Sequence, residues 1–481
     1  MRSLQCSVLL FVLVTGPALA QPAATQAPDR STAPAPGPAP RLTLPAVQTR
    51  TLANGLPVWI IERHRVPTVH LALVVKSGSA ADPAGKYGLA SLTAAMLTEG
   101  AGGRDALTLA DEIDYLGAEL GSSSSFDATL VSLQVPVARL AQALPLVADV
   151  ALRPDFPQAD LDRLREQRLT GLRTAKDNPP QVASLALPLV VYGDAHRYGT
   201  SAVGTSQTLR GVTRADLQQF HAAHYRPGNA ALVVAGDVTP GALVPLLERH
   251  FGTWRTPAAP AAVSLPSPPP VAARTVTLVD KPGAAQSVIR IGAVGVPRDT
   301  PDYFALTVMN TILGGSFTSR LNQNLREEHG YAYGASSGFD MRRLAGPFSA
   351  GAMVQTDKTA ESVTEILNEL NGIRTAVPAE ELSKAKNYVA LGFPGDFETN
   401  ADLAGQYAEL IVYGLPMNDY ETYVDRVLAV TAADVQRVAE KYITPDRLAV
   451  VVVGDRQAVG AKLEALNLGP LTLRTVDEVV R

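Results

Sequence analysis

One pair of residues, His221 and His224, has the type and spacing that suit metal binding. Side chains three residues apart on a helix point to the same side, so two imidazoles could bind one metal ion there. The other histidines are scattered, and no third ligand is evident near the pair. Histidines at a helix surface or end are the simpler interpretation, so we predict no metal site from this pair.

A run of four serines, in "SSSSFD" from Ser122 to Asp127, is the second candidate for chemistry. A serine hydrolase of the α/β type carries its nucleophile in a strained turn with the pattern G-x-S-x-G, and the run itself does not form that pattern. We therefore predict that these serines belong to a polar strand or loop.

A short predicted helix is unusual for the groups that it lacks. The stretch "YGLASLTAAMLTEGA", residues 87–101, has one apolar side and is closed by Gly100. Its apolar positions are Leu89, Leu92, Met96 and Leu97, and its other positions include only small side chains at Ser91, Thr93, Ala94 and Ala95. The helix thus has a core-forming side, while its opposite side offers no group for catalysis.

Length and composition set the frame for these elements. The 481 residues are 46% hydrophobic and 18% charged, which is typical of a globular protein with room for two to four domains. The net charge of −4 gives no support for nucleic acid or an anionic membrane surface as a partner.

The N-terminus predicts secretion. A basic Arg2, an apolar run over 8–14 and small residues at Ala18 and Ala20 are typical of a signal peptide cleaved after Ala20. An uncleaved anchor is the alternative, but the apolar run is shorter than the ~20 residues that a membrane span needs. Cys6, the single cysteine, would leave with the signal, so we expect no disulfide and no thiolate metal site in the mature chain. We expect a periplasmic location, with extracellular release as the other possibility.

Two Pro/Ala-rich stretches divide the rest of the chain, because such stretches cannot bury a core. We predict, in chain order, a signal peptide (1–20), a disordered leader (21–41), an N-terminal domain (42–255), a linker (256–273), a C-terminal domain (274–467) and a tail (468–481).

The two halves look like copies of each other. Residues 212–237 align with 430–455 at an offset of 218 without gaps, and 11 of 26 positions are identical. Each copy reads as a helix, a turn containing Pro227 or Pro445, and a buried strand ending in Gly-Asp. Strands and helices are mixed in both halves. We therefore predict an α+β fold of two duplicated α/β-roll domains, each with a mainly antiparallel sheet packed by helices.

The order of the sequence pieces resembles the insulinase/pitrilysin family of zinc peptidases over about residues 42–466. The matching pieces are "LANGLPVWIIE", "SGSAADPAGKYGLASLTAAMLTEGA", "LADEIDYLGAELGSSSSFDATLVSLQV", "LREQRLTGLRTAKDNP", "HAAHYRPGNAALVVAGD" and, in the second half, "MNTILGGSFTSRLNQNLREEHGYAYGASSGF". Each piece alone is weak, whereas their order and spacing together are specific.

The resemblance explains the empty helix. Active members carry H-x-x-E-H there, with two histidines binding zinc and the glutamate acting as general base. Ser91, Ala94 and Ala95 stand at those three positions here. Active members typically have paired glutamates on a later helix, where this chain has residues 169–172, Leu-Thr-Gly-Leu, with Glu166 nearby. The resemblance therefore implies that this half binds no catalytic zinc.

The second half retains a different feature of the family, Arg326 and Tyr333 in "NLREEHGYAYGAS". The resemblance implies that these residues reach the zinc-bearing half, where the Arg binds a substrate carbonyl and the Tyr hydroxyl stabilises the oxyanion. The alternative is structural: Arg326 would pair with Glu327 or Glu328, and Tyr333 would be part of the core. The preceding glycines, Gly314 and Gly315, are expected to end a helix rather than to contact a ligand.

These features predict the non-catalytic subunit of a heterodimeric metallopeptidase. The expected partner is a homologous chain that carries H-x-x-E-H and the zinc, and the expected substrate is a peptide or unfolded protein held as an added strand on a sheet edge. This chain would hold no cofactor and would be inactive alone. The alternative is a peptide-binding or structural protein without a peptidase partner. A third hypothesis is a zinc peptidase that is active alone, and the residues Ser91, Ala94 and Ala95 argue against it.

Overall fold

The computed structural model describes residues 37, 43–255, 263–269 and 271–481. The predicted signal peptide (1–20), the leader (21–41) apart from residue 37, and parts of the linker (256–273) lie outside the described residues.

The strands form two six-stranded sheets and one two-stranded ribbon in the described part of the chain. They are β1 (Val47–Thr51), β2 (Pro57–Glu62), β3 (Thr68–Val75), β4 (Gly100–Ala101), β5 (Arg104–Asp105), β6 (Glu119–Ser124), β7 (Thr129–Pro136), β8 (Ala230–Gly236), β9 (Thr275–Asp280), β10 (Gln286–Val294), β11 (Ala332–Phe339), β12 (Pro347–Gln355), β13 (Ala449–Gly454) and β14 (Leu471–Thr475).

Helices cover both sheets. They are α1 (Leu89–Met96), α2 (Ala106–Tyr115), α3 (Leu140–Leu152), α4 (Gln158–Ala175), α5 (Pro179–Tyr192), α6 (Ser206–Gly211), α7 (Arg214–His224), α8 (Pro240–Phe251), α9 (Tyr303–Asn310), α10 (Arg320–Asn322), α11 (Thr359–Gly372), α12 (Ala379–Gly392), α13 (Asn400–Tyr413), α14 (Tyr423–Ala429), α15 (Ala432–Tyr442), α16 (Arg456–Ala465) and α17 (Val476–Val479). Two π-helical turns, Thr311–Gly315 and Gln323–Glu328, extend α9 and α10.

The N-terminal sheet has the order β1-β2-β8-β3-β7-β6, and only the β2–β8 pair is parallel. Its inner strand β8, "AALVVAG", is buried at every position because both faces of the sheet are covered. At the far end, β6 pairs with β7 alone and presents its other edge unpaired.

The C-terminal sheet repeats this arrangement. Its order is β14-β9-β13-β10-β12-β11, and the strands that begin at 57, 68 and 129 recur at 275, 286 and 347, at the offset of 218 found in the sequence. Helices α7 and α15 also correspond, and each begins with a capping box in which a threonine and an aspartate exchange hydrogen bonds with the backbone. The α+β duplication is therefore confirmed, with β11 as the counterpart of the edge strand β6.

Each half contributes one helix to the core of the other half. Leu187 of α5 shares a hydrophobic cluster with Val451 of β13, and Tyr407 of α13 shares another with Val233 of β8. Tyr192 at the end of α5 also donates a hydrogen bond of 2.9 Å to the carbonyl of Ala345. Both sheets belong to one compact unit.

Two element boundaries differ from the sequence-based predictions. Helix α1 ends at Met96 rather than at Gly100, which lies in β4. The expected tail (468–481) instead contains β14, which pairs in parallel with β9, and α17. Strand β9 pairs with β13 on its other side, so β14 rather than β9 is the terminal strand of this sheet. None of the described helices is long and apolar enough to cross a membrane.

Candidate functional site

Helix α1, in which the resemblance places the zinc motif, is anchored at its N-terminus. The Asp82 carboxylate accepts hydrogen bonds from the backbone N–H groups of Gly88 (2.8 Å) and Ala90 (2.7 Å). Arg197 pairs with the same carboxylate at 2.9 Å, and both side chains are almost fully buried. Burial raises the pKa of Asp82, against the opposing effect of Arg197. The helix is thus held firmly in place although it lacks the catalytic side chains.

The expected ligand positions lie on one side of α1. Ser91, Ala94 and Ala95 carry no imidazole or carboxylate, so they supply none of the donors that zinc requires. The Ser122 hydroxyl of the edge strand β6 donates a hydrogen bond of 2.5 Å to the carbonyl of Ala94. This contact places the unpaired sheet edge directly beside the altered helix.

A cationic side chain also contacts this part of α1. Arg168 of α4 donates hydrogen bonds to the Ser91 hydroxyl (2.7 Å) and to the Ser91 carbonyl (2.8 Å). Burial lowers the pKa of the guanidinium to about 10, and the nearby Asp82 carboxylate acts in the opposite direction. A guanidinium at the first ligand position repels a metal cation and offers it no electron pair. The residues present therefore do not fit a zinc ion.

The segment of α4 in which the resemblance placed a glutamate ligand is part of the core. Leu169 and Leu172 of α4 are buried and share a hydrophobic cluster with residues of α5 and β13. Glu166 is exposed on the same helix. A carboxylate is therefore absent from the buried side of α4, where two leucines pack instead.

The histidine pair has separate partners. The ring of His221 is hydrogen-bonded to the carbonyl of Ala151 (2.9 Å), and Nδ1 of His224 lies 3.0 Å from the Ser77 hydroxyl. Burial lowers the pKa of both imidazoles. No group of three potential metal ligands occurs among the residues that the structure describes. The interpretation of these residues as ordinary structural histidines is consistent with these contacts.

The serines also have structural roles. Ser122 to Ser124 lie in β6, and the Ser125 hydroxyl accepts hydrogen bonds from the backbone of the turn that leads to β7. A G-x-S-x-G pattern does occur at 334–338, but there it lies within strand β11 rather than at a strand-to-helix turn. Neither segment forms a nucleophile elbow.

The structure brings Arg326 and Tyr333 together at the surface. Arg326 lies in the second π-helical turn, and its Cζ atom is 5.3 Å from the ring centroid of Tyr333 in β11. Tyr333 is 89% exposed, which excludes the core alternative for this residue. The alternative salt bridge of Arg326 is present, since its Nε lies 3.4 Å from Glu327. Phe317, 66% exposed, covers the guanidinium at 4.4 Å.

The glycine pair positions this cluster. A Cβ atom at Gly314 would lie 2.3 Å from the backbone nitrogen of Ser337, so only glycine permits the close approach of the π-helical turn to β11. Gly315 packs similarly closely against Asn310. The helix-ending interpretation of the pair thus agrees with its position in the turn.

Two residues of the site were missed by sequence reasoning. Arg168 lies one turn before Leu172 on α4, and therefore on the same side of the helix as an expected ligand position. A cation at that place was the signal available in the sequence. Phe317 had no comparable signal, because its exposure depends on the fold.

Comparison with known proteins gives two family matches. The model described as "Insulinase (Peptidase family M16)" matches residues 58–201, and that described as "Peptidase M16 inactive domain" matches residues 211–389. A Mycobacterium tuberculosis protein named as an uncharacterized zinc protease is 28% identical over 437 residues, covering 89% of this chain and 96% of that protein. The beta subunit of the mouse mitochondrial-processing peptidase is 25% identical over 427 residues, covering 86% and 85%.

Solved structures agree. A peptidase M16 inactive domain from Pseudomonas fluorescens has a TM-score of 0.79 and 30% identity, covering 85% of this chain and 98% of that one. A Helicobacter pylori protease, 22% identical with a TM-score of 0.77, covers 86% of this chain and 100% of that one and shares the fold. Fold and family matches together define a protein of the metallopeptidase class. The chain belongs to peptidase family M16, the insulinase family.

Proposed function

We propose that this chain is the non-catalytic subunit of a heterodimeric M16 peptidase. The observation that carries the proposal is a contrast between its two halves. The zinc positions of the first half hold Ser91, Ala94 and Ala95 with Arg168 against them, whereas Arg326 and Tyr333 of the second half are adjacent and available at the surface.

In this proposal Arg326 and Tyr333 act on a substrate bound to the partner chain. The guanidinium donates a hydrogen bond to a substrate carbonyl, and the Tyr333 hydroxyl donates to the oxygen on which negative charge develops. Phe317 restricts the guanidinium by covering one of its faces. The partner, a homologous chain with H-x-x-E-H, supplies the zinc, and this chain holds no metal of its own.

The substrate would be a peptide or an unfolded protein. An extended segment can pair with a free sheet edge, and β6 and β11 are both terminal strands of their sheets. The sequence-based expectation of a signal peptide places this reaction outside the cytoplasm, most simply in the periplasm.

The test combines metal analysis with a peptidase assay. We expect the purified mature chain to be metal-free and inert, and to accelerate peptide cleavage strongly when mixed with the H-x-x-E-H homologue of the same organism. Arg326→Ala should then lower the rate of the mixture by about 10²-fold, the scale for the loss of one oxyanion donor. Tyr333→Phe should also lower the rate, because it removes the hydroxyl donor. Its control is Tyr388→Phe, at a tyrosine that is also exposed, and this variant should have no effect.

Two outcomes would contradict the proposal. If the chain alone binds about one zinc ion and cleaves peptides, it has a catalytic metal site of its own and is not a non-catalytic subunit. If the mixture is no more active than the homologue alone, a peptide-binding or structural role without a peptidase partner gains support.

A further inference from the structure

Arg168 has no counter-ion among the residues that the structure describes. A guanidinium has five N–H donors, and the structure gives this one two hydrogen bonds, both to Ser91. No carboxylate of the described residues forms an ion pair with it. Asp82, the acidic group that acts on its pKa, is already paired with Arg197 and two backbone N–H groups. Half-buried charges are usually paired, so this arrangement favours an added anion.

The surroundings of Arg168 indicate what kind of anion could reach it. The guanidinium is tied to the side of α1 that carries Ala94, and Ser122 ties the same helix side to β6. The side chains at Ala94 and Ala95 are single methyl groups, of which Ala94 is buried and Ala95 is partly exposed. Arg168 and the edge strand β6 thus bind carbonyl groups about one turn apart on the same helix, and the outer edge of β6 has no partner in its sheet.

An unpaired strand edge binds extended peptides through their main chain, independently of sequence. The anionic main-chain group of a peptide is its C-terminal carboxylate. A carboxylate has the planar geometry that a guanidinium binds with two parallel hydrogen bonds. We propose that Arg168 is a receptor for the C-terminal carboxylate of an extended peptide paired with β6, so that the altered zinc site captures peptide ends instead of cleaving peptides.

This site belongs to the chain itself and does not depend on a partner subunit. The test therefore uses the mature chain alone and fluorescence anisotropy. The first probe is a fluorescein-labelled octapeptide of alternating Thr and Val with a free C-terminal carboxylate. The second is the same peptide as its C-terminal amide, and the third is an amide with one central Glu. We expect the free acid to bind at least about tenfold more tightly than the plain amide, the scale of a charge-assisted hydrogen bond.

Three variants test whether Arg168 causes the preference for the free acid over the amide. Arg168→Gln should bind the free acid and the amide equally, while Arg168→Lys, which keeps the charge, should retain part of the preference. Arg173→Gln removes an exposed arginine from the same helix and should behave as the wild type. Circular dichroism of each variant shows that it is folded.

Four results would overturn the proposal. They are equal binding of free acid and amide by the wild type, a preference that survives in Arg168→Gln, the absence of binding by every probe, and binding of the Glu-containing amide as tight as that of the free acid. The last result would assign the cation to side-chain carboxylates rather than to peptide ends.

Discussion

At the residue scale, the α1 region combines side chains without metal donors with a buried support. Ser91, Ala94 and Ala95 offer no imidazole or carboxylate, and Arg168 places a positive charge against Ser91. The Asp82 carboxylate supports the N-terminus of this helix through two backbone N–H groups and pairs with the buried Arg197.

The buried pair gives the prediction at this scale. Asp82→Asn leaves Arg197 buried without a counter-charge and weakens the N-terminal support of α1, so the free energy of unfolding should fall by about 3–5 kcal/mol. Urea denaturation of the mature chain, followed by circular dichroism, measures the change.

The matched control is Asp177→Asn. Asp177 pairs with Lys281 at 3.0 Å, but its side chain is 84% exposed, so the loss should be at most about 1 kcal/mol. Equal losses in the two variants would show that the buried pair has no special importance.

At the scale of elements, the duplicated helices α7 and α15 begin with the same capping box but are fixed differently. In the C-terminal half, α15 is bound to Asp302 at the start of α9. That carboxylate accepts from Arg437 (2.7 Å), Lys441 (2.9 Å) and Tyr442 (2.6 Å). These hydrogen bonds lower the pKa of Asp302 to about 2, although burial opposes them. In the first half, the residue that precedes the counterpart helix α1 is Gly88, which has no carboxylate, so this attachment is specific to one copy.

This attachment predicts an acid-dependent contribution to stability. Because the folded pKa is below the ordinary value of 3.8, the contribution is present above pH ~3.8 and is lost as the pH falls towards 2. Between pH 4.5 and 2.5, the free energy of unfolding should therefore fall less in Asp302→Asn than in the wild type. Urea titrations at the two pH values test this.

Asp446→Asn serves as the comparison, since Asp446 is fully exposed and pairs with Arg274 at 3.1 Å. Its acid dependence should match that of the wild type. If Asp302→Asn showed the full wild-type decrease as well, the three hydrogen bonds would not hold the charged carboxylate in the folded state.

At the scale of the whole molecule, the two sheets depend on each other. Helix α5 of the first half lies in a cluster with the C-terminal sheet, and α13 of the second half lies in a cluster with the N-terminal sheet. The rings of Trp59 in β2 and Tyr407 in α13 form a T-shaped pair with centroids 6.3 Å apart. Unfolding one half would therefore expose apolar surface of the other.

We expect the two halves to unfold in a single transition. Both tryptophans, Trp59 and Trp254, belong to the first half, whereas far-ultraviolet circular dichroism reports on both halves. Urea titrations followed by the two signals should coincide within error. Two separate midpoints would mean that the exchanged helices do not couple the halves, and that each sheet has an independently stable core.

The sequence by itself determined the features that depend on local pattern or residue type. Strands β2, β3, β9 and β10 follow from β-branched and apolar runs, and the duplication follows from identities at one constant offset. The loss of zinc donors at Ser91, Ala94 and Ala95 follows from the resemblance, because a missing imidazole cannot be supplied by folding.

The tertiary structure decided everything that joins distant parts of the chain. The contact of Arg168 with Ser91 spans 77 residues, and the exposure of Tyr333 depends on which strand lies at the edge of the C-terminal sheet. The addition of β14 to β9 is equally non-local. Local pattern specifies which residues form an element and which side of it is apolar. Partners are chosen by the packing of all elements together, which no short stretch of sequence contains.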